Sequence, residues 1–208
     1  MSEHGSHDHE PHAPETMGAG RLEAFSDAVM AVIITLLAFE LEPPTGPTWA
    51  SFKAVKGGFF IYVLAFTFIA IYWNNHHHLL RATTRINGAV MWANMLLLLC
   101  LSLIPVLTRW LRAFPWDAQP VATFGIVALA AGLSYLLLVH ALIRANGPDS
   151  LLARAISSDV KGYASLGLYA AAVALAFVSV WISYGLYLAV AVMWLIPDRR
   201  FSRAARED

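Results

Sequence analysis

Arg21-Leu22-Glu23-Ala24-Phe25-Ser26-Asp27-Ala28-Val29-Met30-Ala31-Val32-Ile33-Ile34-Thr35-Leu36-Leu37-Ala38-Phe39 is the stretch that decides how this chain is read. It opens on charged and polar side chains and then runs from Ala28 to Phe39 without a charge. The apolar block from Ala24 to Leu41 has about the length of a helix that crosses ~30 Å of hydrocarbon. Composition extends that reading to the whole chain. Of 208 residues, 58% are hydrophobic and 13% charged, and the mean hydropathy is +0.58. Soluble domains carry about 25% charged residues. An ordinary soluble enzyme and a disordered protein are thereby excluded. Lys plus Arg and Asp plus Glu both number 14, so no net basic field exists to hold nucleic acid. The single cysteine, Cys100, lies in an apolar run and has no partner for an intrachain disulfide.

Working outward from span 1 (24–41), five further spans are expected. Span 2 runs over 57–80, span 3 over 88–111 and span 4 over 121–143. The last apolar block, 163–196, is too long for one helix. The polar centre Val180-Trp181-Ile182-Ser183-Tyr184-Gly185 is expected to form a tight hairpin between two short spans. Strict apolar–polar alternation, the mark of a membrane β-barrel, is missing. Pro43-Pro44 and Gly46-Pro47 stop span 1, Asn146-Gly147-Pro148 closes span 4, and Pro197 follows span 6. Pro105 predicts a kink late in span 3. Trp49, Trp73, Trp110, Trp116, Trp181 and Trp194 fall mainly near span ends, as interfacial belts do. The expected fold class is an all-α integral membrane protein with six transmembrane helices per subunit. Residues 19–200 form its membrane domain, between a disordered His-rich tail (1–18) and a basic C-terminal tail (201–208).

Basic residues set the expected topology. With the N-terminus inside, the inner segments hold Arg21, Arg81, Arg85, Arg144, Arg154, Lys161, Arg199, Arg200, Arg203 and Arg206. The outer segments hold Lys53, Lys56, Arg109 and Arg112. The positive-inside rule then places both termini in the cytosol of a multi-pass cell-membrane protein. The N-terminal residues lack the apolar core of a signal peptide. His4, His7, His9 and His12 there offer weak metal binding as one reading and a disordered, solvated tail as the favoured one, since nothing fixes a ligand geometry.

Span 1 carries the unusual chemistry. Asp27 lies at the inner edge of the hydrocarbon, where a charge costs about 2.5–3.5 kcal/mol if it reaches the centre. Arg21 is six residues away and off the i, i+4 spacing. Asp27 is therefore expected either to cap the helix with Ser26 or to pair across to another helix. Ala28, Val32, Thr35 and Phe39 form one stripe at helical spacing, apolar with a single hydroxyl, which suits a face against lipid or another helix. Glu40 and Glu42 follow at the outer end, where acids raise the local cation concentration. Span 2 ends in Trp73-Asn74-Asn75-His76-His77-His78. His76 is expected to reach back to Asp27. Consecutive histidines on a helix point about 100° apart, so three of them cannot share one metal, and no metal site or cofactor is expected. His140, alone near a helix end, reads as interfacial. No H-E-x-x-H, G-x-S-x-G or P-loop occurs, so no enzyme is expected.

Arg21, Phe25, Ser26 and Asp27 form an R-x-x-x-F-S-D pattern that resembles the lysosomal-type transmembrane potassium channel family, whose prokaryotic members have six spans. The Trp73…His76 element and the ending Trp194-Leu195-Ile196-Pro197-Asp198-Arg199-Arg200 are similar to that family's second-span and C-terminal elements. The resemblance implies a homotetramer in the lipid bilayer whose first helices line a central pore for monovalent cations, with K⁺ as the permeant ion. The family has no T-V-G-Y-G filter, and neither does this chain. It implies instead constriction rings at Val32, Thr35 and Phe39. It also implies a helix-locking network of Arg21, Ser26, Asp27 and His76. Ile or Leu is usual where Val32 and Phe39 stand, so these rings depart in width from the pattern. Two other classes remain on sequence grounds. One is a membrane-embedded haem or metal redox protein using His76, His77, His78 and His140. The other is a proton-permeable channel of the same fold.

Overall fold

A computed structural model describes residues 18–148, 150, 152–153 and 160–195. The regular elements among the described residues are all helices, with no strand. The helices are α1 (Ala19–Phe39), α2 (Trp49–Arg81), α3 (Gly88–Ser102), α4 (Ile104–Ala113), α5 (Ala118–Asn146), α6 (Val160–Leu175) and α7 (Val180–Leu195). Four stretches are long and apolar enough to cross a membrane: α1, α2, α5, and α3 with α4 taken together. The two shorter apolar helices α6 and α7 complete six. Each has 16 residues, about 24 Å at 1.5 Å per residue.

Local chemistry sets the ends. The Thr48 hydroxyl accepts from the Ser51 amide and starts α2 well before the apolar stretch at 57. This makes α2 33 residues, about 50 Å, longer than the hydrocarbon is thick. The Asn87 side chain caps α3 through the Val90 amide. Span 3 breaks at Leu103, where Pro105 has no N–H to continue the ladder. The Leu103 amide closes a tighter turn onto the Cys100 carbonyl. Gly147, at φ 96°, ends α5 in a conformation that a Cβ would strain.

The expected hairpin at 180–185 lies elsewhere. The turn occupies residues 176–179, and 180–185 form the first turns of α7. The polar side chains there are satisfied sideways instead of by water at a turn. Ser183 is fully buried and donates to the Ala172 carbonyl at 2.7 Å, and the Tyr184 hydroxyl donates to the Pro115 carbonyl at 2.9 Å. The expected end signals at 196–208 and the histidine-rich tail before residue 18 lie outside the described residues.

The centre of the bundle is α5, which packs against α3, α4, α6 and α7. Small side chains permit the approach. Ala128 and Ala131 are fully buried, and a Cβ added at Gly125 would stand 2.3 Å from the Tyr187 hydroxyl oxygen. On the other flank α1 packs on α2, α3 and α4. Only one stripe of α1 is used for this: Leu22, Ser26, Met30, Ile33 and Leu37, at i, i+4, i+8, i+11 and i+15.

Candidate functional site

The stripe opposite those five residues is bare in the protomer. Ala24, Phe25, Ala28, Ala31, Val32, Thr35, Leu36, Ala38 and Phe39 are all exposed, Val32 by 58% and Phe39 by 81%. At 100° per residue, Val32, Thr35 and Phe39 fall within about 60° of one another, spread over roughly 10 Å of helix. The Thr35 hydroxyl donates to the Ala31 carbonyl at 2.9 Å. Its proton is thereby committed to its own helix, and its exposed oxygen keeps the capacity to accept.

At the N-terminal end of α1 the structure ties three helices together. Ser26 Oγ donates to the Leu22 carbonyl at 2.8 Å and accepts from Asn94 Nδ2 at 3.0 Å. Asn94 Oδ1 then accepts from His76 Nε2 at 2.7 Å. All three side chains are fully buried. The chain of donors runs one way, from His76 on α2 through Asn94 on α3 to Ser26 on α1. Buried polar groups in a bundle act as glue of this kind. Among the expected network residues, Ser26 and His76 are brought together, but through Asn94. His76 makes no hydrogen bond to Asp27. Asn94 was missed because it stands as one amide in the apolar run Met91-Trp92-Ala93-Asn94-Met95-Leu96. A lone amide in a span, which must find a partner, was the available signal.

Asp27 sits instead with Glu23, one turn earlier on α1, and with His77 on α2. His77 Nδ1 is 2.7 Å from Glu23 Oε1, and the Trp73 ring stacks on the imidazole with centroids 5.8 Å apart. Arg21 is exposed, with no ion-pair partner among the described residues of one protomer. His140 Nδ1 bonds the Leu136 carbonyl of its own helix at 2.7 Å, as an interfacial histidine does.

At the opposite end of α1, Glu40 lies 3.7 Å from Arg109 and Glu42 lies 3.7 Å from Arg112. Both arginines come from α4. The two acids expected at the mouth are thus each faced by a cation, which lowers the field they project. They line an open cavity of about 420 Å³ with Phe39, Leu41, Pro43 and Ala113. Sequence reading placed Arg109 and Arg112 on the same side but did not join them to the acids, because helix α4 and its facing direction depend on the break at Leu103.

Against this geometry, the model of the family "Endosomal/lysosomal potassium channel TMEM175" matches residues 21–105, which hold the bare stripe, the three-helix relay and the break before α4. A potassium channel of Chryseobacterium sp. (strain P1-3) is 42% identical over 192 residues, covering 92% of this chain and 100% of the relative. A potassium channel of Chamaesiphon minutus is 30% identical over 199 residues, covering 88% of this chain and 97% of the relative. The crystal structure of a lysosomal potassium-selective channel TMEM175 homolog from Chamaesiphon minutus superposes with a TM-score of 0.75 at 28% identity, covering 86% of this chain and 96% of the other. The chain is therefore a multi-pass membrane protein that belongs to the TMEM175 potassium channel family.

Proposed function

We propose that this chain is the subunit of a homotetrameric, potassium-preferring channel whose α1 helices surround a passive pore. Family membership supplies the ion, and the observation that carries the pore reading is the unpartnered stripe of α1. A helix flanked by α2, α3 and α4 on one side leaves Val32, Thr35 and Phe39 facing out of the protomer. Four copies around an axis make an apolar throat with one ring of hydroxyl oxygens between two apolar rings. An apolar throat gates by dewetting, and an ion crosses it only by giving up hydration water. K⁺ sheds that water more readily than Na⁺, and the Thr35 oxygens replace part of it. Ions move down their electrochemical gradient, so neither catalysis nor a cofactor is needed for conduction.

The relay through Ser26, Asn94 and His76 holds α1 in register against α2 and α3. Arg21, at the start of α1 and exposed on its protomer, is left for a neighbouring subunit. Arg21, Arg81, Arg85 and Arg144 gather at the N-terminal end of α1, which the positive-inside rule assigns to the cytosol with both termini. The test is flux through reconstituted vesicles. Thr35→Ala lowers the K⁺ over Na⁺ preference several-fold, and Val32→Asn wets the throat and raises conductance. Unchanged selectivity and conductance in both variants contradict the assignment.

A further inference from the structure

Glu23, Asp27 and His77 form a cluster of which only Asp27 belongs to the expected helix-locking network. Glu23 and Asp27 are one turn apart on the same face of α1. His77 reaches them from α2, and one ligand atom from each of the three lies within 4.8 Å of the other two. Asp27 Oδ1 has no hydrogen-bond partner, and His77 Nδ1 has only the Glu23 carboxylate beside it. Asp27 Oδ1 and His77 Nδ1 are both shielded from solvent and make no hydrogen bond. The 2.7 Å approach of His77 Nδ1 to Glu23 Oε1 lacks the alignment of a hydrogen bond. A proton on Nδ1 or a metal ion between the two atoms makes so close an approach favourable, and the metal ion also takes up Asp27 Oδ1. Trp73, stacked on the imidazole, fixes the ring's direction.

We propose that Glu23, Asp27 and His77 bind a divalent transition-metal ion of the Zn²⁺ class, clamping the N-terminal end of α1 to α2. The donor set selects the ion. An imidazole nitrogen with two carboxylate oxygens suits Zn²⁺ and its neighbours, whereas Mg²⁺ and Ca²⁺ favour oxygen-only shells. Bonds of about 2.0–2.2 Å require the three atoms to sit nearer 3.3 Å apart, which needs only small side-chain rotations. Three protein ligands leave the fourth tetrahedral position to water. Two carboxylates also balance the double charge of the ion at the edge of the hydrocarbon. This site differs from the one weighed for three adjacent histidines, since only one of them takes part. It stands independently of the pore assignment.

The experiment is Zn²⁺ titration by calorimetry of the purified full chain in detergent. His4, His7, His9 and His12 are replaced by Ala throughout, so that the tail does not contribute. The expected result is one Zn²⁺ per chain, at least tenfold weaker after His77→Ala or Glu23→Gln and not displaced by a hundredfold excess of Ca²⁺. Gel-filtration elution and thermal unfolding without metal report whether each variant is folded. Should His77→Ala misfold, Glu23→Gln decides alone. A rise in melting temperature on adding Zn²⁺ that Glu23→Gln abolishes supports the clamp. Absence of Zn²⁺ binding in the tail-substituted chain, loss of less than tenfold in the folded variants, or full displacement by Ca²⁺ overturns it.

Discussion

Replacing Asn94 with Leu tests the three-helix relay directly, because the two side chains share one branched shape and the change leaves no cavity. The substitution removes the bond from His76 Nε2 at 2.7 Å and the bond to Ser26 Oγ at 3.0 Å. The two ends are not affected equally. Ser26 keeps its own donation to the Leu22 carbonyl. His76 is fully buried and its Nδ1 already lacks a hydrogen bond, so its ring is left without any. A stranded buried donor costs about 1–3 kcal/mol. The second bond adds roughly 0.6 kcal/mol, the average measured inside a membrane bundle. A total of about 1.6–3.6 kcal/mol lowers the melting temperature by roughly 3–14 °C for a chain of this size. Heating the detergent-solubilised protein while following the fluorescence of its seven tryptophans reads this out. Ser26→Ala removes only the weaker end. Combined with Asn94→Leu it adds little, so the double-mutant cycle shows a coupling of about 0.6 kcal/mol. An Asn94→Leu protein that melts with the wild type, or a cycle additive within about 0.3 kcal/mol, refutes the relay.

Two further predictions concern how the bundle is held. Gly125→Ala places a Cβ 2.3 Å from the Tyr187 hydroxyl oxygen and 2.8 Å from Val173 Cγ2, and is expected to destabilise by about 1–3 kcal/mol. Tyr187→Phe removes the clashing oxygen and restores part of the loss, measured as recovered melting temperature; failure of that rescue refutes the packing argument. Asn146 accepts from the Thr84 amide, the Thr84 hydroxyl and the Arg85 amide, and donates to the Arg85 and Leu142 carbonyls. Asn146→Ala therefore loosens the α2–α3 connection by about 1–3 kcal/mol, less than five buried bonds would suggest because water replaces several. Faster tryptic cleavage after Arg81 and Arg85 is the expected readout, and an unchanged rate contradicts the clamp.

Much of the fold was written in hydropathy and punctuation. The four long spans follow from apolar length, and the break near Pro105 follows from its missing N–H. The hairpin between α6 and α7 was misplaced because Ser183 and Tyr184 look like turn residues in a linear reading. Their partners, the carbonyls of Ala172 and Pro115, become near only after folding. Helix α2 begins eight residues before its apolar stretch because the Thr48 cap, not hydropathy, sets its start. In the site, periodicity drew the stripe of Ala28, Val32, Thr35 and Phe39 but left it between lipid and helix packing, and the family resemblance singled out Val32, Thr35 and Phe39. Asn94 and Asn146 were not legible in the same way. One stood unnoticed among leucines, and the other read as a helix-stop signal although its side chain holds the α2–α3 loop from 61–62 residues away.

The central claim is that the bare stripe of α1 faces an aqueous passage and not lipid. Silver ions are close to K⁺ in size and react with thiols only where water reaches them. The wild type carries a single, buried cysteine, Cys100, as an internal control. K⁺ flux in vesicles carrying Thr35→Cys should fall steeply on adding Ag⁺, more slowly when permeant K⁺ is raised to compete, while the wild type is spared. Flux through folded Thr35→Cys channels that Ag⁺ leaves untouched would place Thr35 against lipid and contradict the account.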